Sequence, residues 1–91
     1  MKTIWAPMAL RDLQQIRTYI AADNVDAALQ VETTIVAAVE GLRDFPAMGR
    51  PGKRPDTREL VVPGTPYIVV YTVSADALRI ITVLHGARDR P

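Results

Sequence analysis

Side chains able to hold an anion fall in two groups in the second half of the chain. Arg50, Lys53, Arg54 and Arg58 lie in or just after a stretch rich in proline and glycine, and His85, Arg88 and Arg90 lie beyond the last apolar run. Guanidinium and ammonium groups bind phosphates and carboxylates through charge-assisted hydrogen bonds, and arginine adds a planar fork that fits either anion. If the two groups converge, they form a surface for nucleic-acid phosphates or for acidic side chains of a protein. Otherwise they are ordinary solvated charges.

Other site chemistry is excluded by the residue types. The chain has no cysteine, which removes disulfides, thiolate nucleophiles and Cys-ligated zinc. His85 is the single histidine, too few donors for a zinc or iron centre. Gly52-Lys53 falls short of a phosphate loop, because Ala47 stands where glycine is required and Arg54 where a magnesium-binding hydroxyl is required. Ser74 is the only serine and falls in an expected turn, so a Ser-His-Asp triad has no footing. Neither a metal nor a cofactor is expected.

The charge balance narrows the partner. Net charge is +1 over 91 residues. Residues 1 to 42 hold three basic and five acidic side chains, and residues 43 to 91 hold eight and five, so the second half is net +3. That suits a mildly basic face toward an acidic partner and falls short of a dedicated nucleic-acid module. No window approaches the ~18 uninterrupted apolar residues of a membrane span, and Pro7, Arg11 and Asp12 interrupt the first apolar stretch before it could serve export. A cytoplasmic protein without a membrane partner is expected. At this length a single domain over residues 1–91 is expected as well.

The elements that must position these groups can be read from periodicity. Lys2 to Trp5 favours a strand, and Pro7 suits the first turn of a helix. Leu10, Leu13, Ile16 and Ile20 recur by threes and fours, one face of a helix ending near Ala22. Asp23 and Asn24 are helix-start residues, with Asp26 adding favourable charge. Ala28, Val31, Ile35, Val39, Leu42 and Phe45 mark a second helix, to be stopped by Pro46. The short link between the helices forces an antiparallel hairpin. Residues 46 to 57 read as a loop. Strands follow over Arg58–Val62, Tyr67–Val73 and Ala77–Leu84, the last with Leu78, Ile80, Thr82 and Leu84 on one side. The fold class is α+β in the order β-α-α-β-β-β, with the helical hairpin on one face of a small, mainly antiparallel sheet. Ala9, Tyr19, Ala27 and Val36 fall off the main stripes and could leave a groove for a partner's amphipathic segment.

In this order and spacing, the run Phe45-Pro46-Ala47-Met48-Gly49-Arg50-Pro51, then Arg58-Glu59-Leu60, Tyr67-Ile68-Val69-Val70-Tyr71 and Ile81-Thr82-Val83-Leu84-His85-Gly86-Ala87-Arg88 resembles the ParE branch of the ParE/RelE toxins. The likeness spans essentially the whole chain, including the Trp5 strand and the helix with Leu13, Ile16 and Tyr19. It implies a growth-inhibiting toxin of a type II toxin-antitoxin pair, of the kind associated with plasmid stabilisation. Its partner would be a cognate antitoxin whose C-terminal segment wraps it, with Leu13, Tyr19 and Val36 as contacts. The family allows a homodimer or a heterotetramer with the antitoxin. ParE members inhibit DNA gyrase, and RelE members cut messenger RNA on the ribosome. Metal-free RNA cleavage needs a base, an acid and cations for the developing charge. Glu59, Arg58, His85 and Arg88 are the candidates for that alternative, but the tail has no aromatic to stack on a base. Gyrase inhibition, with no catalytic residue and with Arg50, Lys53, Arg54, Arg58, His85, Arg88 and Arg90 binding the target, is the favoured expectation.

Overall fold

A computed structural model describes residues 1–89. It contains β1 (Lys2–Trp5), α1 (Pro7–Ala21), α2 (Val25–Gly41), β2 (Arg50–Pro51), β3 (Arg58–Val61), β4 (Tyr67–Val73) and β5 (Ala77–His85). The five strands form one sheet in the order β1-β5-β4-β3-β2. β1 runs parallel to β5, and the remaining pairs are antiparallel. The expected α+β order is therefore present, with one addition: the segment read as a loop contains a short strand, β2, paired to β3.

Both helices lay one stripe on the sheet. In α1 the stripe is Ala9, Leu13, Ile16 and Ile20, stepping four, three and four; Ala9 is fully buried, whereas Leu10 is half exposed. Three-and-four spacing selects Leu10 at this turn, whereas the structure buries Ala9 in its place. In α2, Ala28, Ile35 and Val39 are buried as expected, as is Leu42 at its C-cap. Asn24 caps the helix, its side-chain oxygen accepting from the Ala27 amide at 3.0 Å, and Asp26 stands in the first turn.

α2 does not run on to Pro46. It ends at Gly41, where the last turn tightens and the Leu42 amide donates to the Val39 carbonyl at 3.0 Å. Phe45 thus leaves the helical stripe and stands exposed.

β5 carries a second departure. Val70 pairs with Thr82 but Tyr71 pairs with Ile80, so Ile81 is an extra residue on β5. Such a bulge shifts side-chain parity by one. Leu78 and Ile80 face the core before it, and Val83 after it, so the side assigned to Thr82 and Leu84 from strict alternation does not hold.

The core joins Ile35 and Val39 of α2, and Leu42 just beyond it, to Val69, Tyr71, Leu78 and Ile80 of the sheet. Tyr71 is completely buried, and its phenol needs polar partners. It finds them beyond α2: the hydroxyl donates to the Pro46 carbonyl at 2.8 Å and accepts the Gly49 amide at 2.9 Å. A Cβ on Gly49 would lie 2.5 Å from that hydroxyl oxygen and 3.0 Å from the Glu59 carbonyl oxygen, so glycine is required for the close approach.

Tyr71→Phe leaves a buried amide and carbonyl without this partner and is expected to cost about 1–3 kcal/mol in denaturant unfolding. Burial, the larger influence, pushes the Tyr71 phenol above its ordinary value, against the lowering effects of the Gly49 amide and Arg58. A raised phenol means that the folded state holds the proton more tightly than the unfolded state. Its contribution is present below the ordinary tyrosine range and is lost as pH climbs through it toward the folded value. Stability should therefore decline in that alkaline window for the wild type, and Tyr71→Phe should flatten the decline.

Candidate functional site

The chain from Phe45 to Arg58 is held by three sets of contacts. Tyr71 fixes its start, as described. Arg58 fixes the middle: its Nη1 donates to the Gly49 carbonyl at 2.7 Å and, more weakly, to the Ala47 carbonyl at 3.4 Å. The tip closes on itself, with the Gly52 amide donating to the Thr57 carbonyl at 2.8 Å and the Thr57 hydroxyl to the Arg54 carbonyl at 2.7 Å. Asp56 there adopts φ of 65°, the left-handed region that aspartate tolerates in turns.

Two expected anion-binding cations are accordingly engaged within the protein. Arg58 secures loop carbonyls. Arg50 lies opposite Glu59 across β2 and β3, and its Nε and Nη2 both donate to one Glu59 carboxylate oxygen, at 3.3 and 3.1 Å. The Glu59 side chain is almost fully buried, so this pair neutralises a carboxylate out of water. Lys53 and Arg54 are exposed and line a cleft of about 360 Å³ together with Thr57, Glu59, Val70 and Leu84.

The tail forms a different site. The ring of His85 meets that of Tyr67 edge-on, with centroids 5.5 Å apart. Its Nδ1 accepts the amides of Ala87 and Arg88, each at 3.2 Å, which puts the ring proton on Nε2. The guanidinium of Arg88 lies 5.3 Å from the centroid of the Tyr19 ring. Here β5 has outrun β1, whose pairing stops at Ile80. Carboxylates replace the missing strand: Asp12 accepts from the Val83 amide at 3.0 Å and from the Thr82 hydroxyl, and Asp89 accepts from the His85 amide at 2.7 Å. They occupy edge amides that could otherwise recruit another strand. A cleft of about 410 Å³ opens between α1 and this edge, bordered by Asp12, Tyr19, Tyr67, His85 and Arg88.

Lys53 and Arg54 therefore border one cleft and His85 and Arg88 another, with no lining residue in common. Strand register separates Glu59 from His85, whereas Arg58, opposite Tyr71, shares the His85 face. Glu59 is opposite Val70 and His85 opposite Tyr67. Residues three apart on β4 point to opposite faces of the sheet. Glu59 and His85 thus lie on opposite faces and cannot flank one bond. Arg90 lies outside the described residues. Among those residues no cluster of His, Cys, Asp or Glu side chains is placed to hold a metal ion.

On the helical hairpin, Leu13 packs against the core and is half-buried, Tyr19 is exposed beneath Arg88, and Val36 stands at the solvent side of α2. Val36 continues a partly exposed stripe with Val25 and Leu29 that the core-directed reading passed over. Asp12 was also missed, because its role depends on a strand end seventy residues away; Tyr71 could have been flagged as a phenol in an otherwise apolar central strand.

A helical hairpin on one face of a mostly antiparallel five-stranded sheet is the RelE/ParE-like topology. Comparison with solved structures agrees. A chain described as "Chromosomal ParDE TA system from P. aeruginosa" superposes with a TM-score of 0.84 at 25% identity, covering 93% of this chain and 95% of the other. A Sinorhizobium fredii protein named "Putative toxin Y4kP" is 45% identical over 87 residues, 96% of this chain and 90% of that protein. The family model described as "ParE toxin of type II toxin-antitoxin system, parDE" matches residues 3–90. The chain belongs to the ParE toxin family: it is the toxin component of a type II toxin-antitoxin pair, with a cognate antitoxin as partner.

Removing the Asp12 carboxylate should expose its importance to the β5 edge. Asp12→Ala is expected to lower stability by about 1–3 kcal/mol in urea unfolding, since it strips the Val83 amide of its partner. Asp12→Asn keeps a side-chain carbonyl acceptor and should lose less.

Proposed function

We propose that this toxin inhibits DNA gyrase by binding it, working in the cytoplasm until the antitoxin neutralises it. The observation that carries the reading is the division of Glu59 and His85 between opposite faces of the sheet. Metal-free RNA cleavage needs a base and an acid within reach of the same phosphodiester. Here one candidate is buried in an ion pair and the other has its Nδ1 committed to backbone amides. A binding surface requires no such convergence.

The loop supports a grip on protein. Lys53 and Arg54 are free at its tip to meet acidic side chains, while Arg50 and Arg58 stiffen the segment that presents them. His85 and Arg88 form a second, separate contact region in this reading, and Arg90, also assigned to the target, lies outside the described residues. Leu13, Tyr19 and Val36 are assigned to the antitoxin, with Tyr19 and Val36 the more accessible anchors.

Adding the toxin to gyrase, supercoiled plasmid and ATP is expected to accumulate protein-linked linear DNA. Normal supercoiling and religation at toxin excess would refute gyrase as the target. Codon-phased cuts in a translated message that vanish in His85→Ala would instead establish the ribosome-dependent nuclease.

A further inference from the structure

β5 ends at His85, and the chain that follows is tied back onto it. The Gly86 amide donates to the Pro66 carbonyl at 2.7 Å, and the Asp89 amide donates to the His85 carbonyl at 2.9 Å, closing a single α-turn. His85 stands at the N-cap of that turn, where the amides two and three residues on have no backbone partner of their own. Its Nδ1 accepts both of them, from Ala87 and Arg88, and the Asp89 carboxylate accepts the His85 amide in return. This is a capping box with imidazole in place of the usual hydroxyl and with the acid one residue later than usual. Terminal segments are ordered only where something ties them down, and here the tie is made by two side chains.

Arg88 is the residue that the turn places. Its guanidinium lies 5.3 Å from the centroid of the Tyr19 ring, and among the described residues it makes no ion pair. Two carboxylates border the same cleft, but Asp12 accepts from the Val83 amide and the Thr82 hydroxyl, and Asp89 accepts from the His85 amide. Arg50 and Arg58, by contrast, are held by Glu59 and by loop carbonyls. Contact with a ring face fixes a guanidinium without neutralising its charge.

We propose that His85 is a positioning residue of this toxin: its Nδ1, together with Asp89, latches the tail turn and thereby fixes Arg88 on Tyr19 in the place from which Arg88 acts. The proposal rests on the reading that the tail meets the target, and it gives His85 a part in that reading that needs neither proton transfer nor direct contact. All that the latch requires of residue 85 is an acceptor in the right place. The side-chain carbonyl of asparagine also serves at an N-cap, whereas phenylalanine keeps a ring against Tyr67 and brings no acceptor. A general acid or base would be lost in both variants. The two substitutions therefore separate a capping histidine from a catalytic one.

The test compares His85→Phe with His85→Asn, and Asp89→Ala with Asp89→Asn, in the full chain, reading amide hydrogen exchange by NMR and growth arrest after induction. His85→Phe should speed exchange of the amides at positions 87 and 88 by roughly fivefold or more and abolish arrest, while the Gly86 amide, held by Pro66, exchanges as in the wild type. His85→Asn should recover both the protection and the arrest. Asp89→Ala, at an exposed position, should shift both readouts in the same direction as His85→Phe, and Asp89→Asn should recover them; this pair decides the matter if His85→Phe does not fold. Arg88→Gln should lose arrest with the amides at 87 and 88 still protected. Unchanged exchange or retained arrest in folded His85→Phe would overturn the proposal, as would retained arrest in Arg88→Gln. So would an inactive His85→Asn whose amides stay protected, which would make His85 itself a contact or a catalytic group. Arrest that follows the latch in every variant while gyrase supercoiling and religation stay normal would refute gyrase as the target and leave the latch standing.

Discussion

The Tyr71 hydroxyl sits where the helical layer, the sheet and the basic loop meet. A fully buried phenol is tolerable only if its oxygen is satisfied, and the partners it takes are a carbonyl and an amide of the chain leaving α2. One side chain of the central strand thereby decides where the loop begins, how closely Gly49 must approach, and which way Phe45 and Met48 face. Arg58 and the Arg50–Glu59 pair continue the same scheme, spending charged groups on loop geometry. This is why the loop holds a defined shape, despite its length and its prolines.

The sheet imposes the other constraint. Register places Glu59 on one face and His85 on the other, and no rotamer change moves a side chain through a five-stranded sheet. The helical hairpin and tail share the His85 face, where Tyr19, Tyr67 and Arg88 gather around it. The loop tip with Lys53 and Arg54 borders the cleft that contains Glu59. The two faces thus carry different groups, exposed cations at the loop tip on one and a ring cluster with Arg88 on the other.

Much of the fold was legible because local signals agreed. Pro7 and Asn24 marked helix starts, and the runs Tyr67–Val73 and Ala77–Leu84 could hardly be other than paired strands. Where the reading failed, the deciding interaction lay elsewhere in the chain. Leu10 and Phe45 match helical spacing yet face solvent, because Ala9 fits against the sheet and Gly41 ends α2 early. The bulge at Ile81 has no local signature in β5; it reverses the faces of every later residue and so decides where His85 points. The arginines stand out by type in the sequence, but type alone does not tell a ligand-binding guanidinium from one serving its own loop. Only the register pairing Arg50 with Glu59 and the approach of Arg58 to Gly49 distinguish these.

A toxin that grips a replication enzyme and one that cuts messages stop different syntheses first. The most direct measurement is pulse incorporation of labelled thymidine and labelled methionine in cells during the first minutes after induction. DNA synthesis should fall while protein synthesis continues. An immediate fall in methionine incorporation with replication still running would contradict the account.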